Sequence, residues 1–201
     1  MFADYQYVLK SYEDEDANPI VTANESAEAF AMKSLQRKSD AINEEISVYG
    51  IADGSNFVEI SGLDALGENE VYISNSFAEK YGISAGDTVV LSEKYENKKY
   101  EFKAAGFYDK SLSISVFMPI KQFRTAFDLK EDEFTGYLSD TQITDIAEDN
   151  IATVITEQDI TKMCDQLDHS MGSYMQYFQV LCVLLSAVMI YLLTKIIIEK
   201  N

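Results

Sequence analysis

The chain has a single histidine, His169, and its neighbour is Ser170, so an imidazole and a hydroxyl stand side by side in the sequence. A serine nucleophile needs the imidazole within hydrogen-bond reach of its oxygen. Successive side chains on a helix point about 100° apart, so adjacency alone does not supply that geometry. No HExxH, GxSxG or cysteine–histidine signature accompanies the pair. Two carboxylate runs, Glu13-Asp14-Glu15-Asp16 and Glu131-Asp132-Glu133, are the candidates for a cation site. Calcium loops alternate their ligands with other residues and bend at a glycine, which neither run does. Both read as solvated acidic loops. Gly82 and Gly86 belong to neither GxxxxGK[ST] nor GxGxxG and lead into a strand, so no phosphate cradle is expected. No catalytic, cofactor-binding or metal-ligating residue is therefore expected, and any ATP would be bound by a separate subunit.

The strongest signal lies near the C-terminus. Residues 177–194, YFQVLCVLLSAVMIYLLT, carry no charge, and Gln179, Ser186 and Thr194 are the only clearly polar side chains. Eighteen helical residues rise about 27 Å, close to the ~30 Å hydrocarbon core of a bilayer. Apolar residues occupy every side of this helix, where a soluble helix would keep a polar face. A transmembrane helix is expected over residues 177–195. Upstream, residues 156–159 resemble a capping box, and nothing after them stops the helix. Ile160, Met163, Leu167, Met171, Tyr174 and Phe178 are spaced 3, 4, 4, 3 and 4 apart, a heptad-like seam. Residues 157–176 thus read as a stalk helix that continues into the membrane. Gly172 falls near the interface, and Tyr174 and Tyr177 on one side with Lys195 on the other are the expected anchors. Cys164 and Cys182 lie about 27 Å apart along this helix and cannot pair.

Charge sets the orientation. The chain holds 16 Lys and Arg against 34 Asp and Glu, a net charge of −18. Beyond residue 176 the only charged residues are Lys195, Glu199 and Lys200, so the acidic excess precedes the span. Such a surface argues against nucleic acid as a partner. The positive-inside rule puts residues 196–201 in the cytoplasm and residues 1–176 outside the cell membrane. The N-terminal MFADYQYVLKSYEDEDA is acidic where a signal peptide would be basic and apolar. The expectation is a fragment, with an upstream transmembrane helix before Phe2 and more chain beyond Asn201. Acidity and the lack of a disulfide framework favour a Gram-positive exterior.

Residues 5–9 alternate as a strand with Tyr5, Tyr7 and Leu9 on one buried face. Residues 13–25 read as an acidic loop. Residues 26–38 read as a helix capped by Asn24 or Ser26, with Phe30, Ser34 and Leu35 on one face. Strands are expected at 45–50, 56–60, 71–74, 88–93, 99–107, 115–119, 134–139 and 151–155. Short helices are expected after Asn75 or Ser76 and over 121–127. Gly82 ends the first of these in a left-handed conformation, and Gly86 with Asp87 turns the chain into the next strand. The reading is an α+β domain over residues 1–156, with small mixed sheets, short helices and room for a second subdomain at about 70–110.

The segment VYISNSFAEKYGISAGDTVVL, residues 71–91, resembles a recurring piece of the extracytoplasmic domains of FtsX-like or MacB-like permeases of ABC transporters. Its G-[IV]-x-x-G-D-x-[VI] turn is one that small β-barrels also use. MPIKQF at 118–123 resembles a strand-to-helix junction of those domains, and residues 178–201 resemble the start of the FtsX-like membrane domain. The resemblance spans residues 70–201 and implies a MacB-like fold with no catalytic activity of its own. It implies as partners a cytoplasmic ABC ATPase subunit and a second permease half or protomer packed along the stalk. It also implies a lipid, peptide or accessory-protein ligand outside, with the stalk helix transmitting ATP-driven motion. The competing expectations are a ligand-binding or sensory ectodomain on a membrane anchor and a membrane-tethered enzyme of the cell envelope.

Overall fold

The computed structural model describes residues 2–38 and 43–199, without the side chains of residues 160, 163, 164, 168–170 and 173. In chain order the elements are β1 (Tyr5–Leu9), β2 (Glu28–Arg37), β3 (Glu44–Ile51), β4 (Glu70–Ser74), α1 (Asn75–Tyr81), β5 (Thr88–Ser92) and β6 (Lys99–Tyr108). They continue with β7 (Ser115–Pro119), α2 (Ile120–Ala126), β8 (Gly136–Ser139), β9 (Ile151–Thr156) and α3 (Glu157–Glu199). The chain divides into two compact units, residues 1–156 and 157–201.

In the first unit the strands follow the order β3-β7-β4-β6-β5-β2-β8-β1-β9, and β2 also pairs with β3. That extra pairing closes β2, β3, β7, β4, β6 and β5 into a ring of six, a small barrel. The β3/β7 and β4/β6 pairs are parallel, and the remaining pairs in the ring are antiparallel. Inward side chains alternate along each strand, as with Tyr100, Phe102 and Ala104 in β6 or Val89 and Leu91 in β5. They fill the barrel together with Leu35, Ile46, Val48, Val71, Ile73, Val116 and Met118. Phe77 of α1 and Ile120 and Phe123 of α2 complete the same core, so residues 70–110 share it with β2, β3 and β7.

β2 serves two sheets. Glu28, Ala29 and Phe30 pair with β8, while Ala31 to Arg37 pair with β3. The second sheet, β8-β1-β9, grows from that N-terminal end. Tyr7, Leu9, Ile20, Tyr137, Ile143 and Ile146 pack on one side of it. Between the two sheets Phe30, Tyr49, Tyr108, Phe117 and Leu138 form an aromatic-rich cluster covered by Val58 and Leu63 of the loop after β3. Gln6 is buried here as well as Tyr7 and Leu9, because Val8 on the Gln6 face packs on this cluster while Tyr7 and Leu9 pack on the other one, so both faces of β1 are covered.

Several expectations change. Residues 26–38 form no helix: β2 occupies them. Ala29, Met32, Leu35 and Gln36 are good helix formers, yet Phe30 and Leu35 go into different cores on opposite faces, a period of two that only a strand supplies. Local propensity gives way to three neighbouring ladders. Asn24 caps no helix; its Oδ1 accepts from the Ser26 N–H at 3.0 Å and the Ser26 hydroxyl at 2.8 Å, closing a turn. Residues 56–60 are not a strand either. The loop is pinned by side chains instead, with Ser55 Oγ, Asn56 N and Asn56 Nδ2 donating to the Glu28 carboxylate at 2.6, 2.9 and 2.7 Å. The N-cap of α1 is Ser74, whose hydroxyl accepts from Phe77 N at 3.2 Å, rather than Asn75 or Ser76. β8 begins at Gly136, two residues later than expected, although Thr135 already bonds both neighbours, its N–H to Phe30 O at 2.8 Å and its carbonyl to Leu9 N at 2.9 Å. The other strands and α2 lie within one residue of their expected bounds.

Candidate functional site

The feature with the most functional content is the passage from the folded domain into the apolar helix. β9 ends at Thr156 and α3 begins at Glu157, with no residue between them. α3 then runs for 43 residues without interruption, Gly172 included. Glu157 and Asp159 sit in its first turn, where carboxylates meet the partial positive charge of the helix N-terminus. Its apolar part, Tyr174–Glu199, covers 26 residues, and none of it is buried within the protein. That length rises about 39 Å, enough to cross a ~30 Å hydrocarbon core.

Of the proposed seam, Leu167, Met171, Tyr174 and Phe178 are exposed on α3, and the side chains of Ile160 and Met163 lie outside the described residues. Tyr174 and Tyr177 are exposed at the start of the apolar part. Lys195 at its other end is 3.7 Å from Glu199, one turn on. The side chains of His169, Ser170 and Cys164 lie outside the described residues, and Cys182 is exposed.

The glycine turn is a structural device. Gly82 takes φ 63 as the C-cap of α1, and its N–H reaches Ala78 O. Gly86, at φ 95, donates to Ala104 O at 2.7 Å, and Asp87 O accepts from Ala104 N at 2.9 Å, so the turn is stitched to β6. The Asp87 carboxylate accepts from Ser84 N at 2.8 Å within the same turn. Only a residue without Cβ takes up these left-handed angles without cost.

In the acidic runs the carboxylates of Glu13, Asp14 and Glu133 are engaged in internal contacts. Tyr12 donates its hydroxyl to Glu13 at 2.6 Å and Lys130 lies 3.1 Å away, which together hold that carboxyl below its usual range. Asp14 accepts from the backbone N–H of Asn18 at 2.8 Å and of Asp16 at 3.0 Å, and it too is lowered. Glu133 O accepts from Arg124 at 2.7 Å, and its carboxylate accepts from Lys130 N at 3.1 Å. Among the described residues no group of three or more His, Cys, Asp or Glu is placed to hold a metal ion. A groove of about 340 Å³ runs beside Lys121, Asp64 and Gln122, whose amide donates to Gly67 O and Glu70 O and ties α2 to the turn before β4.

The structure also assembles a junction that no sequence motif announced. Tyr5, the first residue of β1, is the ladder partner of Ser139 in β8 and of Thr156 in β9. The chain therefore enters the sheet beside the point where it departs for α3. Over this end Ser26 Oγ meets Ser139 Oγ at 3.2 Å and Thr141 Oγ1 at 3.0 Å, and Asn24 donates to Thr141 at 2.9 Å. Asp145 accepts from Ala23 N at 2.6 Å and Thr22 Oγ1 at 2.7 Å, and these bonds keep its carboxyl below the usual range. Uncharged strand-forming runs, Tyr5–Leu9 and Ile151–Thr156, stand at the two ends of the domain, but nothing in the sequence pairs one with the other.

No protein-family model matches the chain, and no curated protein matches it in sequence. Among solved structures it is similar to the extracellular domain of the ABC-type transporter YknZ from Gram-positive bacteria, at 18% identity and TM-score 0.41, over 68% of this chain and 84% of that one. It is also similar to the periplasmic region of MacB from Actinobacillus actinomycetemcomitans, at 10% identity and TM-score 0.42, over 80% of this chain and 91% of that one. A domain of a permease protein from Porphyromonas gingivalis matches at 15% identity and TM-score 0.34, over 68% of this chain and 63% of that one.

Proposed function

We propose that the chain is the outer domain and following membrane helix of an ABC-transporter permease subunit. In this reading an ATPase on the other side of the membrane drives motion that α3 carries to the domain outside. The observation that carries it is the unbroken helix from Glu157 to Glu199, which starts on the residue after β9 and includes a 26-residue apolar segment. A helix transmits displacement along its length, whereas a flexible linker would absorb it. The resemblance of residues 71–91 and 178–201 to FtsX-like and MacB-like permeases supports the same reading. The domain would lie outside a Gram-positive cell membrane, with Lys195 and Lys200 on the cytoplasmic side. Its ligand class is a lipid, a peptide or an accessory protein, and a second protomer would pack along Leu167, Met171, Tyr174 and Phe178.

The test is to purify the full-length protein in mild detergent and assay what accompanies it. An ATPase that co-purifies, and whose activity changes in the Leu167→Asp/Met171→Asp protein, is the expected result. Absence of any co-purifying ATPase overturns the permease reading. An ATPase indifferent to the double substitution overturns the seam.

A further inference from the structure

We infer that β9 is a releasable strand: displacement of α3 peels it from β1 while β1 and β8 stay in place, giving the domain a docked and a freed state. The inference rests on α3 being the moving element in the function proposed above.

The difference between β9 and its neighbours is large. β9 is the last strand of the sheet order, and among the described strands its ladder partner is β1 alone. None of its six residues is buried, and Ala152 and Thr153 are exposed. Every residue of β8 is buried, as are Gln6, Tyr7 and Leu9 of β1. Ile151 and Val154 only lean against the neighbouring cluster, whose members Tyr7, Leu9, Ile20, Tyr137, Ile143 and Ile146 come from other segments. That cluster has its own fastenings: Tyr7 Oη accepts from Ile143 N at 2.9 Å, and Tyr137 donates its hydroxyl to Ile20 O at 2.8 Å. Removing β9 leaves them intact. Few buried apolar contacts and a one-sided ladder are the physical marks of a segment that opens well below the global unfolding threshold.

The point of attachment favours the same event. α3 pulls on Thr156, whose partner Tyr5 forms the terminal pair of the ladder. A pull there opens the pairs one after another, through Gln6 with Ile155, Tyr7 with Val154 and Val8 with Thr153. The register then shifts between Val8 and Leu9, so the ladder is already broken near its far end. Release stops at Asn150, whose carbonyl accepts from Lys10 N at 2.9 Å and whose N–H donates to Ala147 O. β9 carries no charge or proline, so neither like-charge repulsion nor prolyl isomerisation slows its re-docking.

The test is hydrogen exchange on the full chain in lipid nanodiscs, read residue by residue by fragmenting the labelled peptides. Amides of β9 that bond to β1 should exchange at least tenfold faster than the amides of β8. A Val8→Cys/Thr153→Cys protein, with Cys164 and Cys182 replaced by Ser, should lose that difference when oxidised and regain it when reduced. Equal protection of β9 and β8 in the unmodified protein overturns the inference, whatever accompanies the protein in purification. The ATPase assay decides the transporter reading separately, so either can fail without the other.

Discussion

Lys33 Nζ lies 2.9 Å from the Glu93 carboxylate, spanning the line where β2 meets β5 in the barrel. The ladder is thin there: Gln36 and Ser92 are the one pair in register, helped by Ser92 Oγ donating to Gln36 O at 3.2 Å. Tyr100 also donates to Glu93, at 2.8 Å, and Lys33 stands 5.1 Å from the centre of the Phe127 ring. A partly buried ion pair therefore does the work that backbone bonds do elsewhere in the ring.

The Lys33 ammonium first, and the Tyr100 hydroxyl with it, hold the Glu93 carboxyl below its ordinary value. A carboxylate lowered in the folded state adds stability that is present above its ordinary pKa of about 4.5 and is lost as pH falls through the lower folded value. Urea midpoints should fall between pH 5 and pH 3. Glu93→Gln should cost about 1 kcal/mol at pH 7 and make that acid-side loss shallower. An unchanged pH profile in the variant would show that Glu93 does not hold the β2–β5 seam.

Gly136 should be intolerant of any side chain. A Cβ there would stand 1.8 Å from Tyr7 O, on the backbone of β1, where nothing flexible can yield. Gly136→Ala should cost about 3 kcal/mol or more, seen as a collapse of the thermal transition. Gly172→Ala, which meets nothing within 4 Å, should leave the domain transition unchanged and strengthen α3 by about 1 kcal/mol.

Ala17 sits at φ 60 in the turn where its N–H donates to Asp14 O at 3.1 Å. A residue with a Cβ is strained in that region, so Ala17→Gly should raise stability by about 0.5–1 kcal/mol. A lower melting temperature for the variant would contradict the left-handed turn.

Topology is best tested at Leu112, which is 94% exposed. In cells carrying a protein without Cys164 and Cys182, Leu112→Cys should react with a membrane-impermeant maleimide, and Asn201→Cys only after permeabilisation. The reverse pattern would invert the orientation.

The sequence was most legible where one local cause decides the outcome. The uncharged stretch at 177–194 announces a spanning helix, Gly82 ends α1, and the alternation in β6 survives intact because one face of that strand meets the core and the other meets water. It was least legible where a residue answers to partners distant in the chain. β2 is written in helix-forming residues, and its partners stand at residues 44–50, 92 and 136–138. The loop at 56–60 looks like a strand until the Glu28 carboxylate takes its donors. Closure of the barrel, and the meeting of Tyr5 with Thr156, have no local signature at all, because register across 151 residues leaves no spacing to count.

The double duty of β2 has a consequence for how this protein can change over generations. Phe30 points into one core and Leu35 into the other, so the ten residues of Glu28–Arg37 form a fixed reading frame. Inserting or deleting one residue between those two would turn either half of the strand inside out and expose one core to water. Variation in length should therefore collect in the connections, such as the stretch between β3 and β4, while this decamer keeps its length in every functional descendant.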